Sequence, residues 1–256
     1  MDYAALASGS SGNCHAFLSG QQILLVDAGI SLKQIRMRIV AVGWDPSQIK
    51  AVILSHEHSD HISAVPTLLR NTNWLFMATR KTLAAINSIH GIEIPPDRFL
   101  SINHESVTMF GDIRIVPFVI PHDAVDPVAF RIDSGTFHAA IVTDLGYQTS
   151  IVTEYCKNLN LLVIEANHDV QMLTHGSYPY ALKSRILSNV GHLSNKNMSK
   201  LLADVLSNRL VSVVLAHLSA KNNEPALAKL AVEEVLKNSA ATLYFAQQNK
   251  VLLLKH

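Results

Sequence analysis

The six-residue run His56-Glu57-His58-Ser59-Asp60-His61 constrains this chain more than any other feature. It directly follows the apolar stretch 51–54, which predicts a short buried strand that ends just before the run. In an extended segment, His56 and His58 point to the same side, because alternate residues share a face. Three imidazoles and a carboxylate so close together favour a divalent metal, since neutral imidazole and carboxylate are good metal ligands. The run alone offers enough ligands for two ions.

Further polar side chains stand directly after predicted strands, where the loops of α/β sheets gather into sites. The four residues in this position are Asp27, His122, Asp144 and His217. Any one of them alone is more typical of a turn or a helix cap. All four together with the histidine run predict one metal site at converging strand ends.

The remaining pattern predicts alternating strands and helices. Helices are expected near 31–42, 61–70, 79–90, 149–157, 179–189, 194–206 and 224–237, several of them with a cap residue at the start or glycine at the end. Each half of the chain reads as strands first and helix–strand units afterwards. This order predicts an α/β protein, a four-layer α/β/β/α sandwich, and the lack of linker-like stretches predicts a single domain over residues 1–256.

Composition excludes some classes of protein. The net charge of +1 gives no general attraction to nucleic acid or membranes, so local charge must carry any such interaction. The two cysteines, Cys14 and Cys156, are too few for a disulfide framework and suit a reducing compartment. No secretory signal and no apolar run of about 18–20 residues is visible. We therefore expect a cytoplasmic protein without a membrane partner, and the sequence leaves its oligomeric state open.

These ligand positions resemble the metallo-β-lactamase superfamily, whose five motifs are matched in order between Asp27 and His217. The resemblance implies that the first metal is held by His56, His58 and His122. It implies a second metal held by Asp60, His61 and His217, with Asp144 bridging the two ions. Asp27 would orient the histidine run through hydrogen bonds without binding metal itself.

The resemblance therefore implies two divalent metal ions as cofactors. Seven nitrogen and oxygen ligands with no thiolate suit Zn or Mn, and Fe is also compatible. A pair of ions about 3.5–4 Å apart activates water and stabilises both the attacking and the leaving oxygen of a displacement.

Three further segments resemble the YycJ/WalJ-like branch of the superfamily, which is similar to bacterial metal-dependent nucleases and lies near the tRNase Z-like phosphodiesterases. They are residues 8–13, residues 121–127, and the pair 165–169 and 191–195. The branch implies that Glu165 orients His192 near the scissile phosphate, so Asp60, His192 and Glu165 are the expected catalytic residues. A phosphodiester leaves as an alkoxide and benefits from a proton donor, which a carboxylate-paired histidine supplies.

Two histidines in these segments also suit roles other than catalysis. His192 follows Gly191, so it also suits a capping or core position. His168 suits a supporting or structural role as well as a catalytic one, and we assign it a supporting role.

Local charge is consistent with a phosphate substrate. Residues 170–203 contain no Asp or Glu, and we predict that Arg185, Lys196 and Lys200 in this stretch hold the substrate backbone. The alternative is that these cations lie on solvated helix faces.

The leading functional hypothesis is a metal-dependent hydrolase that cleaves phosphodiester bonds of nucleic acid, and the family resemblance implies that it is a DNA exonuclease. The alternatives are an RNA-processing phosphodiesterase of the tRNase Z-like type and an ester, lactone or thioester hydrolase on the same scaffold. A non-catalytic scaffold protein is disfavoured, because a decayed site usually loses a ligand and this set is complete.

Overall fold

Strands and helices alternate along the chain in the computed structural model, which describes residues 1–256. The strands are β1 (Asp2–Ala7), β2 (Cys14–Ser19), β3 (Gln22–Val26), β4 (Ile49–Ile53), β5 (Leu75–Ala78), β6 (Phe99–Ser101), β7 (Thr108–Phe110), β8 (Ile113–Val119), β9 (Val128–Ser134), β10 (Phe137–Val142), β11 (Leu161–Glu165), β12 (Ser212–Ala216), β13 (Thr242–Phe245) and β14 (Leu252–Leu254). The helices are α1 (Leu32–Ala41), α2 (Ser59–Ile62), α3 (Val65–Asn71), α4 (Arg80–His90), α5 (Ser150–Tyr155), α6 (Val170–His175), α7 (Tyr180–Leu187), α8 (Asn195–Val205) and α9 (Pro225–Leu236).

The strands form two seven-stranded sheets. The first has the order β14-β1-β2-β3-β4-β5-β6, and the second has the order β13-β12-β11-β10-β9-β8-β7. In the first sheet, β3, β4, β5 and β6 pair in parallel, so their carboxyl ends lie at one edge. In the second, β10, β11, β12 and β13 also pair in parallel. Parallel neighbours explain why polar residues from several strand ends gather at one edge of each sheet.

The chain divides into two compact units. Unit 1 comprises Met1–Pro117, Ala124–Val128 and Ala246–His256, and unit 2 comprises Phe118–Asp123 and Ala129–Phe245. Each unit has its own buried apolar cluster, around Leu25, Val52 and Phe76 in unit 1 and around Val142, Ile164 and Leu202 in unit 2. The expectation of a single domain stays a prediction.

Local signals explain where several helices begin and end. Ser31 caps α1, its side chain accepting a hydrogen bond from the Gln34 N–H. Thr79 caps α4 in the same way, and Gly91 ends that helix in the left-handed region at φ 62°. Both helices confirm the sequence prediction. No helix of the structure has the length and the apolar character needed to span a membrane.

The structure differs from the sequence prediction at four places. The helix expected over 61–70 is two short helices, α2 and α3, with Pro66 in the first turn of α3. Proline is favoured in a first turn but lacks the N–H that a continuous helix would need. The short strands β5 and β6 and the short helix α6 were not predicted, because three to six residues give too little periodicity to detect.

Candidate metal centre

The first ligand group, a set of predicted metal ligands, lies in unit 1 and consists of His56, His58, Asp60 and His61. These residues follow β4, and His58 is the residue that precedes the single turn of α2. The ring centroid of His56 lies 4.6 Å from that of His58 and 4.1 Å from that of His61. Nε2 of His61 lies 3.5 Å from Oδ2 of Asp60. The structure therefore brings the four predicted ligands of the run together.

Asp27 occupies the position that an orienting carboxylate needs. Its Oδ2 accepts a hydrogen bond from Nδ1 of His61 at 2.8 Å, and its Oδ1 accepts one from the Ser55 N–H at 2.8 Å. Oγ of Ser55 contacts the same carboxylate and lies 2.9 Å from Nδ1 of His56. These bonds direct the Nε2 side of both imidazoles away from Asp27, as expected for metal-binding histidines.

Asn13 is a supporting residue that the sequence analysis did not assign. Its Nδ2 lies 3.3 Å from Oδ2 of Asp60 and 3.2 Å from Nε2 of His61, and its backbone N–H donates to the Asp60 carbonyl at 2.8 Å. Gly29 makes this approach possible, because a Cβ atom there would meet the Asp60 carbonyl oxygen at 1.7 Å. The segment 8–13, one of the three that carry the branch resemblance, thus contacts one end of the histidine run.

The second ligand group, also a set of predicted metal ligands, lies in unit 2 and consists of His122, Asp144 and His217. Oδ1 of Asp144 lies 3.8 Å from Nε2 of His122 and 3.6 Å from Nδ1 of His217. All three side chains are buried. Burial lowers the pKa of His122, which keeps its ring in the neutral form that binds metal.

Glu165 is fully buried and accepts hydrogen bonds through both carboxylate oxygens. Oε1 lies 2.8 Å from Nδ1 of His192 and also 2.8 Å from Nδ1 of His217. Oε2 accepts from the N–H groups of Leu145 and Leu193 at 2.9 Å and 3.1 Å. Four donors occupy the accepting positions of the carboxylate, so Glu165 orients two histidines and is not itself suited to bind a metal.

The Glu165 carboxylate is strongly stabilised in its charged form. Burial alone would raise its pKa, but the charge of His192 and the hydrogen bonds from both histidines outweigh burial and lower the pKa to about 2. Burial alone would also lower the pKa of His192, and Glu165 reverses this and raises it. The pair therefore favours a protonated His192 beside an ionised Glu165.

His192 lies close to the second ligand group. Its Nδ1 is 3.7 Å from Oδ1 of Asp144, and its ring centroid is 5.3 Å from the rings of His122 and of His217. Ligand atoms of Asp144, Glu165, His192 and His217 all lie within 4.8 Å of one another. Because Nδ1 is used by Glu165, Nε2 is the atom through which His192 would exchange a proton.

His168 is almost fully buried, and neither ring nitrogen has a hydrogen-bond partner. Burial lowers its pKa to about 4, so the ring is neutral at physiological pH. Its backbone pairs with Ser194, and the Asn195 N–H donates to its carbonyl at 2.9 Å. The residue thus ties the segment after β11 to the start of α8.

Three residues of these groups have strained backbones. Asp27, Asp144 and His217 have positive φ angles of 62°, 59° and 54°, each directly or closely after a strand. A non-glycine residue in this region is uncommon, and such strain concentrates at functional sites. The sharp turn that each adopts directs a polar side chain over the carboxyl edge of its sheet.

The predicted phosphate-binding cations differ in their surroundings. Lys196 and Lys200 are exposed one turn apart on α8. Nε of Arg185 instead forms a close ion pair with Oδ2 of Asp123. A nearby carboxylate offsets part of the positive charge that Arg185 would offer to a phosphate.

Comparison with known proteins identifies the family of this chain. The family described as Beta-lactamase superfamily domain matches residues 22–217, well over half of the chain. The chain belongs to the metallo-β-lactamase superfamily. Membership implies binding of a divalent metal, and the His and Asp groups described above supply suitable donors.

Two curated relatives of this superfamily member cover most of its length. It is 35% identical over 237 residues to Exodeoxyribonuclease YycJ of Bacillus anthracis, covering 93% of this chain and 89% of that protein. It is 38% identical over 229 residues to Exodeoxyribonuclease WalJ of Streptococcus pneumoniae serotype 2, covering 89% of this chain and 85% of that protein. These relatives confirm the branch predicted from the sequence.

Among solved structures, the metallo-β-lactamase fold protein YhfI of Bacillus subtilis aligns with a TM-score of 0.75 at 18% identity, covering 99% of both chains. This likeness shows the metallo-β-lactamase fold. Two mixed sheets flanked by helices confirm the predicted α/β sandwich.

Proposed function

We propose that this metal-dependent hydrolase is a DNA exonuclease. The observation that carries the proposal is the buried Glu165 carboxylate, whose Oε1 lies 2.8 Å from Nδ1 of His192. An alkoxide leaving from a phosphodiester needs a proton, and a charged imidazole beside a carboxylate is a suitable donor. An ester, lactone or thioester hydrolase has no need of this pair. The names of the YycJ and WalJ relatives support DNA as the substrate.

We further propose the ligand assignment that the superfamily implies. His56, His58 and His122 would hold one ion, Asp60, His61 and His217 would hold the other, and Asp144 would be shared between them. The nitrogen and oxygen donors, without a thiolate, suit Zn or Mn and are compatible with Fe. When bound, two such ions activate water and stabilise the charge that develops on the phosphate.

The protein's own residues orient the proposed metal ligands and supply a proton to the leaving oxygen. Asp27 orients His61 and Glu165 orients His217, each through Nδ1 at 2.8 Å, so Nε2 of each ring would be the atom that binds an ion. His192, kept protonated by Glu165, donates a proton from Nε2 to the leaving oxygen. His168 supports this arrangement by fixing the chain between β11 and α8.

Substrate binding is assigned to the basic stretch of unit 2. Lys196 and Lys200 hold the nucleic acid backbone by charge, since both are exposed and no carboxylate lies in residues 170–203. Arg185 contributes less, because Asp123 is its ion-pair partner. We also propose a cytoplasmic location, supported by two buried free cysteines, Cys14 and Cys156.

The test uses end-labelled DNA and RNA, single- and double-stranded, with protein that has been stripped of metal and reconstituted with Zn or Mn. Stepwise shortening of DNA from an end is expected, and it should be faster than cleavage of RNA. Asp144→Asn is the matched control for a contaminating nuclease, because asparagine tolerates the positive φ at this position. Faster cleavage of RNA would favour the tRNase Z-like alternative. Hydrolysis of esters with no cleavage of nucleic acid would reject the proposal.

A further inference from the structure

A cavity of about 290 Å³ lies in unit 1. Its polar lining consists of Thr79, Arg80, Lys81, Asn103, His104 and Asp126. Arg80 and Lys81 follow β5, and His104 follows β6. The cavity therefore lies at the same edge of the sheet as the histidine run, which follows β4. Its volume is close to the lower limit of about 300 Å³ for small-molecule sites.

Hydrogen bonds connect the cavity to the first ligand group. Oε1 of Glu57, the residue between His56 and His58, accepts from the Val125 N–H at 2.9 Å. Asp126 is the next residue, and its carbonyl accepts from Oγ1 of Thr82 at 3.3 Å. The backbone at Asp126 is thus tied to α4 and to the residue that stands between two of the proposed metal ligands.

Charge is arranged by depth in the cavity. The side chain of Lys81 is 72% exposed, that of His104 is 35% exposed and that of Asp126 is 9% exposed. Oδ1 of Asp126 lies 3.8 Å from Nζ of Lys81 and 3.3 Å from Nε2 of His104. The opening is positive and the floor carries a hydrogen-bond acceptor. A fitting ligand has an anionic group at one end and hydrogen-bond donors at the other.

Arg80 does not stabilise the fold through its guanidinium, in contrast to several other arginines. Arg38 and Arg98 donate to backbone carbonyls, and Arg131 pairs with Asp133. Arg80 is exposed at the cavity, and no hydrogen bond or ion pair engages its guanidinium. A guanidinium left available at a concave surface is well suited to bind a phosphate through two parallel hydrogen bonds.

We propose that this cavity binds a nucleotide unit of the substrate strand next to the one that is cleaved. Arg80 and Lys81 bind its phosphate, and Asp126 accepts a hydrogen bond from its base or sugar. The inference rests on the proposed nuclease function. It assigns nucleic-acid contacts to unit 1, in addition to those proposed for Lys196 and Lys200 in unit 2.

The first test compares the double variant Arg80→Ala/Lys81→Ala with the control Lys33→Ala/Arg36→Ala. The control also removes one arginine and one lysine, but from the exposed face of α1. The cavity variant should raise KM for DNA by about tenfold or more and reduce the salt slope of binding by about one to two. The control variant should match wild type. The loss should be much smaller with bis(p-nitrophenyl) phosphate, which has no neighbouring nucleotide. Equal losses on both substrates, or a KM equal to that of the control, would overturn the proposal.

The second test separates this site from the nuclease proposal by measuring binding of deoxyadenosine 5′-monophosphate directly. Wild-type protein and the Lys33/Arg36 control should bind it with equal affinity. Arg80→Ala/Lys81→Ala and Asp126→Asn should each weaken binding several-fold. Binding with this pattern in a protein that does not cleave DNA would support the site and reject the nuclease. Nucleotide binding that is unaffected by all three cavity substitutions would reject the site even if DNA is cleaved.

Discussion

The Glu165 carboxylate accepts a hydrogen bond from Nδ1 of His192 at 2.8 Å. Its other oxygen is held by two backbone N–H groups, so the carboxylate cannot turn away from the ring. Oε1, which accepts the bond from His192, also lies 2.8 Å from Nδ1 of His217, so substitutions are needed to separate the proton-transfer role proposed for His192 from the metal-binding role proposed for His217. The two roles make different predictions.

Replacing His192 tests the proton-donor role. His192→Ala should keep bound metal but reduce the rate of DNA cleavage by about 10²–10⁴-fold, the usual contribution of a general acid. The loss should be smaller with an aryl phosphodiester, whose leaving group needs no proton. Rates on both substrates and the metal content are to be measured together. Loss of metal would make His192 a ligand, and equal loss of rate on both substrates would reject proton donation.

Replacing Glu165 should have a broader effect, because the same oxygen also holds His217. Glu165→Gln should reduce the rate in the same direction as His192→Ala and should also weaken metal affinity, by about 10–100-fold for the loss of an orienting partner. Titration with Zn or Mn measures the second effect. Wild-type metal affinity in this variant would show that the bond to His217 has no part in metal binding.

Removing two cations of α8 tests the assigned nucleic-acid surface. Lys196→Ala/Lys200→Ala should weaken binding across DNA sequences and lower the salt slope by about one for each phosphate that the protein no longer neutralises. Lys33→Ala/Arg36→Ala on α1 is again the control. A salt slope equal to that of wild type would show that both lysines are solvated and do not contact nucleic acid.

His168 predicts a pH dependence of stability. Its folded pKa of about 4 lies below the usual histidine value, so the unfolded chain binds the proton more readily. Stability linked to His168 is therefore complete above the unfolded pKa of about 6.5 and is lost as pH falls toward 4, by up to ~1.4 kcal/mol per pH unit. His168→Gln should flatten the unfolding free energy over this range, whereas His175→Gln, at an exposed histidine, should not. Identical pH profiles for wild type and His168→Gln would contradict the assignment.

Local chemistry made much of the fold predictable. Ser31, Thr79 and Gly91 mark helix ends by side-chain caps and left-handed geometry, and the structure places the helix ends there. The histidine run and the strand-end residues were predicted because ligands stand directly after apolar strands. The short strand β5 was not, because four apolar residues do not distinguish a strand from a buried helical segment.

The rest of the site depends on contacts between distant parts of the chain. Asn13 reaches Asp60 and His61 across more than forty residues, and nothing near Asn13 in sequence signals that contact. The sharing of Glu165 between His192 and His217 likewise depends on how β11 and β12 pair. The sequence gives no sign of the positive φ angles at Asp27, Asp144 and His217, because none of these residues is a glycine and the fold imposes the angles on other residue types.

The most direct test of the account measures metal content and DNA cleavage on the same samples of wild type and Asp144→Asn. Wild type should carry close to two ions per chain, lose cleavage of end-labelled DNA when stripped with chelator, and recover it as Zn or Mn is added back. Asp144→Asn should lose bound metal and cleavage together. DNA cleavage by wild type that survives complete removal of metal, or a metal-loaded wild type that does not cleave DNA, would contradict the account.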